Sequence, residues 1–142
     1  MINSKIGYEG TPSSPGFGGS GTYTYNDGVA PTTATLWAQD NRLLNYTAKA
    51  ADNKLVFHAT WTCLGGSTTG AFAICVFRDS DVNAIAWEYV PSTAGILSGA
   101  TQFGITVSDA LNHNYRLRLV YLSGATSSGF IGKMFRVEEY TQ

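Results

Sequence analysis

Alternation of apolar and polar residues is the clearest signal along this chain. Leu55, Phe57, Ala59, Trp61 and Cys63 alternate with Val56, His58, Thr60 and Thr62, a two-residue period that gives a strand one apolar and one wetter face. Phe72-Ala73-Ile74-Cys75-Val76-Phe77 is apolar throughout. Such a strand is covered on both faces, so it should sit centrally in its sheet or turn one face to another chain. Further strands are predicted over Arg42–Lys49, Asn83–Val90, Gln102–Ser108 (Phe103, Ile105 and Val107 inward), Tyr115–Leu122 and Lys133–Tyr140 (Phe135 and Val137 inward). Gly65–Gly70, Asp79–Asp81, Pro91–Gly95, Asp109–Asn114 and Ser123–Gly129 carry the residues that favour turns. Ala84-Ile85-Ala86 would also suit a helical turn, but no segment has a helix-length period. The expected fold is all-β: an antiparallel β-sandwich, most simply a jelly roll, with an extended N-terminal arm.

That arm, residues 1–35, reads differently from the body at 36–142. It holds seven of the sixteen glycines and three of the four prolines, with no apolar period, and cannot build a core of its own. Tyr8, Phe17, Tyr23 and Tyr25 are spaced through it and are expected to anchor it across the body or a neighbouring subunit. Trp37 and Tyr46, nearer the arm, complete the candidate interface residues, whereas Trp61 falls on an inward strand position and is expected in the core.

Composition narrows the partners. The chain has 142 residues, 13% of them charged, and a formal net charge of −1. A single domain of this size can bury about two-thirds of its unfolded surface. With no cluster of Lys or Arg it lacks the electrostatic footprint of a nucleic-acid or anionic-membrane binder, so neither is an expected partner. No apolar run approaches the roughly 18–20 residues of a membrane span, and the first ten residues lack a signal-peptide layout. Synthesis and residence in a cytoplasm are expected. Asn45-Tyr46-Thr47 is a formal glycosylation acceptor, which means little without a secretory signal.

Candidate chemistry is sparse. If the strands flanking Gly65–Gly70 form a hairpin centred near Ser67, Cys63 and Cys75 lie four residues out of register, about 13 Å apart at ~3.3 Å per residue, too far for a disulfide. Two free, buried thiols are expected, and with no Cys-x-x-Cys and no nearby His there is no zinc motif. Asp79-Ser80-Asp81-Val82-Asn83 opens like an EF-hand loop, but Ala84 replaces the required glycine and Val90 the bidentate glutamate. That leaves a solvated turn, with a weaker calcium site of another type as the alternative. Glu138 and Glu139 leave opposite faces of their strand and cannot form the facing carboxylate pair of a glycosidase. Arg116, Arg118 and Arg136 are expected to make cross-strand ion pairs with such acids. His58 and His113 have no Ser, Cys or acid at a spacing that implies a triad. No catalytic residue, metal site or cofactor is expected.

The series Leu55–Trp61, then Ala73-Ile74-Cys75-Val76-Phe77-Arg78-Asp79-Ser80-Asp81-Val82-Asn83-Ala84-Ile85-Ala86, Tyr115-Arg116-Leu117-Arg118-Leu119 and Phe135-Arg136-Val137-Glu138-Glu139-Tyr140 resembles the small jelly-roll, tumour-necrosis-factor-like modules of tailed-bacteriophage virions. The resemblance covers roughly residues 43–140. It implies a non-enzymatic structural module of the virion, assembled in the host cytoplasm. Two placements follow. One is a capsid decoration or cement protein that binds the major capsid protein and copies of itself, as a dimer or trimer. The other is a tail-fibre tip that binds a receptor or carbohydrate through the Gly65–Gly70 and Ser123–Gly129 loops.

Overall fold

The computed structural model describes residues 2–6, 42–65, 71–91, 95–122 and 127–141. Eight strands appear in these segments: β1 (Ile2–Ile6), β2 (Arg42–Thr47), β3 (Lys54–Gly65), β4 (Ala71–Arg78), β5 (Ala86–Pro91), β6 (Gly95–Thr106), β7 (Asn112–Leu122) and β8 (Ser127–Tyr140). They form two four-stranded sheets, ordered β1-β8-β3-β6 (sheet A) and β2-β7-β4-β5 (sheet B), with every pairing antiparallel. Every sequential connection except β4–β5 crosses between the sheets. That order is a jelly roll, so the fold is an all-β sandwich, as the alternation predicts.

The inner faces follow the period of two. Leu55, Phe57, Ala59 and Trp61 of β3 and Phe135 and Val137 of β8 meet Leu44 of β2, Phe72, Ile74 and Val76 of β4 and Tyr115, Leu117 and Leu119 of β7 in one buried cluster. Phe57 lies at its centre, 4.8 Å from the Tyr115 ring and 5.5 Å from the Phe135 ring. Burying a side chain of this kind contributes about 1.5–3 kcal/mol. β4 is central in sheet B, and its other face is buried too: Ala73, Cys75 and Phe77 pack with Val120, Ala84, Trp87 and Tyr89. The unbroken apolar run therefore marks a central strand whose two faces are both covered within the chain.

Four expectations change. β3 and β4 lie in different sheets, so the hairpin about Ser67 does not exist and the register argument on the cysteines falls with it. A turn-rich connector is as good a crossing between sheets as a hairpin, and alternation says nothing about which strand is the neighbour. Cys75 is nevertheless free and buried; the side chain of Cys63 lies outside the described residues. β6 and β8 begin well before the apolar positions that predict them, through Gly95 and Ser127, because Gly and Ser there mask the strand pattern. Asn83–Val90 narrows to a strand at Ala86–Pro91, entered through the hydrogen bond from Ile85 N–H to the Val76 carbonyl. Finally, five residues assigned to the arm, Ile2–Ile6, pair with β8 from Ile2↔Tyr140 to Ile6↔Arg136, since the edge of β8 offers backbone partners that the apolar count could not register. Gly7 to Asn41 thus joins two strands of the body.

Candidate functional site

Three polar clusters are built on this frame. The first is internal. Glu139 shares the inward parity of Phe135 and Val137 on β8 and is fully buried. It accepts hydrogen bonds from Tyr46 Oη at 2.6 Å, from the Lys49 backbone N–H at 2.7 Å and from Asn53 Nδ2 at 2.7 Å. Burial by itself would raise the carboxyl pKa, but the bonds from Asn53, Tyr46 and the Lys49 and Ala50 N–H groups outweigh it and hold the carboxyl below its usual range. Burial first, then the bond to Glu139, pushes the Tyr46 phenol up. The cluster pins the turn between β2 and β3, where Asp52 has φ +68°, to the inner face of sheet A. It is structural: the buried carboxylate is held by donors of the same chain.

The second lies at one end of the sandwich. His113, on β7, has Nδ1 2.5 Å from Asp79 Oδ2 and Nε2 2.9 Å from Asp109 Oδ1. Asp79 also accepts the Asn114 N–H, and Asp109 the Leu111 N–H. Carboxylates on both ring nitrogens require both to donate, so the imidazolium is the form that fits. Burial lowers the His113 pKa, yet the two carboxylates outweigh it and the pKa is raised. Asp79 is lowered, its burial being outweighed by the Asn114 N–H and His113, and Asp109 is lowered by the Leu111 N–H and His113. The acid partners of His113, absent from any triad-like spacing, come from a turn 34 residues away and a loop four residues away. Asp79 is held here and Asp81 lies 3.5 Å from Arg78, so both acids of the EF-hand-like segment face protein cations. Among the described residues no group of three or more His, Cys, Asp or Glu is arranged to hold a metal ion.

The third occupies the outer face of sheet A. Glu138 faces away from Glu139, as alternation requires, and engages Arg136 two residues earlier on its own strand, accepts the Tyr140 hydroxyl at 2.7 Å and lies 3.5 Å from His58 Nε2 on β3. The Tyr140 and Arg136 bonds lower its pKa, so it stays ionised and cannot serve as a general acid near neutrality. His58 Nε2 is shielded and makes no hydrogen bond. Arg136 thus finds its acid within one strand. Arg116 and Arg118 sit on β7, in the other sheet from β8, and Arg118 lies over the Phe77 ring, 5.1 Å from its centroid. β7 and β8 are therefore not the neighbouring strands that the expected cross-strand pairs require. Beside the cluster a hollow of about 510 Å³ is lined by Lys54, Val56, Gln102, Tyr140 and Thr141, over Gly104, which pairs with Val56. One cation, one amide, two hydroxyls and the apolar Val56 give it the groups to take a small polar ligand.

Of the candidate interface residues, Tyr46 is corrected: it is 8% exposed and its hydroxyl is committed to Glu139, because residue 46 shares the inward parity of Leu44. Tyr8, Phe17, Tyr23, Tyr25 and Trp37 lie outside the described residues. Trp61 is in the core as expected, its Nε1 donating to Thr101 Oγ1 at 3.0 Å.

No protein-family model and no curated protein matches the sequence. Among solved structures, the chain is similar to a CBM35 from Cellvibrio japonicus Abf62 (11% identity, 98% of this chain and 94% of that one, TM-score 0.35). It is similar also to the CBM36-1 domain of a multidomain xylanase from the hindgut metagenome of Trinervitermes trinervoides (14%, 99% and 98%, TM-score 0.35), and to the globular domain of zebrafish complement 1qA protein (14%, 97% and 92%, TM-score 0.33).

Proposed function

We propose that this chain is a non-enzymatic structural module of a phage particle, a decoration protein that binds the major capsid protein. The observation that carries the reading is the 35-residue stretch 7–41, which joins β1 in one sheet to β2 in the other. It contains Tyr8, Phe17, Tyr23, Tyr25 and Trp37, is rich in Gly, Ser and Thr, and has Glu9, Asp27 and Asp40 as its charged residues. Rigid aromatic anchors among small adaptable polar residues, presented from a fixed frame, are the composition of protein-binding loops. The carboxylates of the body's clusters are engaged by donors of the same chain, which suits a frame. Replacing residues 8–35 by a short Gly/Ser linker keeps β1 and β2, and the variant should stay folded but lose binding to shells stripped of the protein. Full binding by that variant would exclude the stretch as the contact.

A second reading, a tail tip that binds a receptor or carbohydrate, is favoured by the hollow beside Tyr140. Copy number separates the two, with hundreds per particle for a shell protein and a handful for a tip.

A further inference from the structure

The four sheet edges of this sandwich are not equivalent. β1, β2 and β5 are five or six residues long and carry Lys5, Arg42, and Glu88 with Pro91, respectively. Short length, charge and proline are the devices by which exposed edges avoid pairing with other chains. β6 has none of them. Its twelve residues, Gly95–Thr106, contain no charged residue and no proline, and its register with β3 runs from Lys54↔Thr106 to Gly65↔Gly95 without a shift. Among the described strands β3 is its sole hydrogen-bonded neighbour. Val107 N–H donates to the Asn53 carbonyl, so with a period of two the backbone groups of residues 98, 100, 102 and 104 point away from β3. The result is a bulge-free edge strand with no charge of its own, about 40 Å long at ~3.3 Å per residue.

We infer that the β6 edge is a self-association surface, pairing antiparallel with β6 of a second copy to make one continuous eight-stranded sheet. A two-fold contact sets the same strand against itself, which is costly where an edge carries charge, since like charges then face each other. β6 carries none. A two-fold axis beside Ala100 sets Ala100 against its counterpart, Ser98 against Gln102, and Ile96 against Gly104. Ile96 is the most exposed large apolar side chain of the described surface, at 76%, and opposite it Gly104 has no side chain of its own, only the stem of Lys54 reaching over it from β3, against which an apolar side chain can pack. The small residues Ser98, Gly99, Ala100 and Thr101 let the two backbones close at the centre. The inference is independent of which lattice the module binds.

Sedimentation equilibrium of the full chain over a wide concentration range tests it. A concentration-dependent dimer is expected. Ala100→Pro removes an outward N–H that β3 does not use, and Ile96→Lys sets a cation at each end of the contact. Each should raise the dimer dissociation constant at least about tenfold while far-ultraviolet dichroism stays that of the parent. If Ala100→Pro disturbs the fold, Ile96→Lys still decides the matter. A monomer at every concentration, a trimer, or a dimer indifferent to Ile96→Lys would overturn the inference.

Discussion

Replacing Tyr46 with phenylalanine deletes one oxygen from the buried polar cluster around Glu139. The ring stays in the core, so no cavity of consequence opens, and Glu139 loses a 2.6 Å bond while keeping those from Lys49 N–H and Asn53 Nδ2. A hydrogen bond to a charged acceptor contributes about 1.5–3 kcal/mol, a large part of the roughly 5–15 kcal/mol by which domains are stable. At this chain length that corresponds to a melting temperature lower by about 5–10 °C. The effect should depend on pH with a defined sign. The Glu139 carboxyl is held below its unfolded value of 4.5, so its contribution is complete above that pH and is lost as pH falls through the lower folded value. Urea unfolding followed by tryptophan fluorescence at pH 7 and again near pH 3 should therefore show the Tyr46→Phe cost shrinking in acid. Glu139→Gln, which removes this titrating group, should make the acid limb shallower, leaving the part that Asp79, Asp109 and Glu138 supply. Because Tyr46 and Asn53 share one acceptor, Tyr46→Phe and Asn53→Ala should not add. A folded Tyr46→Phe protein within about 0.5 kcal/mol of the parent at neutral pH, or a Glu139→Gln protein with an unchanged acid limb, would refute the assignment of Glu139 as the ionised pin of the β2–β3 turn.

Three further outcomes are expected. Gly99→Ala would place a Cβ 2.6 Å from Cζ2 of Trp61, whose ring is held by Thr101, so thermal melts should show a loss of about 1–3 kcal/mol. The bridge of Asp79, His113 and Asp109 is complete below the ordinary histidine pKa of 6.5 and is lost as pH rises through the raised folded value, while the lowered aspartates keep it until pH falls below their own range; His113→Gln should abolish the alkaline loss in a stability–pH series, and proton NMR should titrate His113 above 6.5. Burial raises the Cys75 thiol pKa, so in a Cys63→Ser background a thiol reagent should label Cys75 at the rate of unfolding and no faster.

The fold class was legible because alternation reports burial directly. β3 and the inner parts of β7 and β8 could be read from one residue in two, and the doubly apolar β4 announced its central position. Strand partners were not legible: nothing in residues 63–71 distinguishes a hairpin from a crossing between sheets, and the pairing of Ile2–Ile6 with β8 rests on backbone bonds that leave no mark in side-chain pattern. Among polar residues, the parity of Phe135, Val137 and Glu139 already places Glu139 inward. What it could not supply is the set of donors, which come from residues 86 to 93 positions away in sequence. The same holds for His113, whose link to Asp79 forms only when the β4–β5 turn is brought beside the start of β7. The hollow over Gly104 is likewise a product of register, since Lys54, Gln102 and Tyr140 meet only across three adjacent strands.

The alignment of β1 with β8 has a mechanical consequence. Ile2 stands opposite Tyr140, so the two extremities of the folded chain leave from the same corner of sheet A on antiparallel strands. Tension applied between them acts across the ladder and not along it, loading the interstrand bonds one after another. β1 should peel off at low force while the rest of the sandwich holds. A tether joined to both extremities would behave as a weak zipper ahead of a stiff body, whereas a load entering elsewhere in the chain and leaving at Tyr140 would spare that five-residue strand.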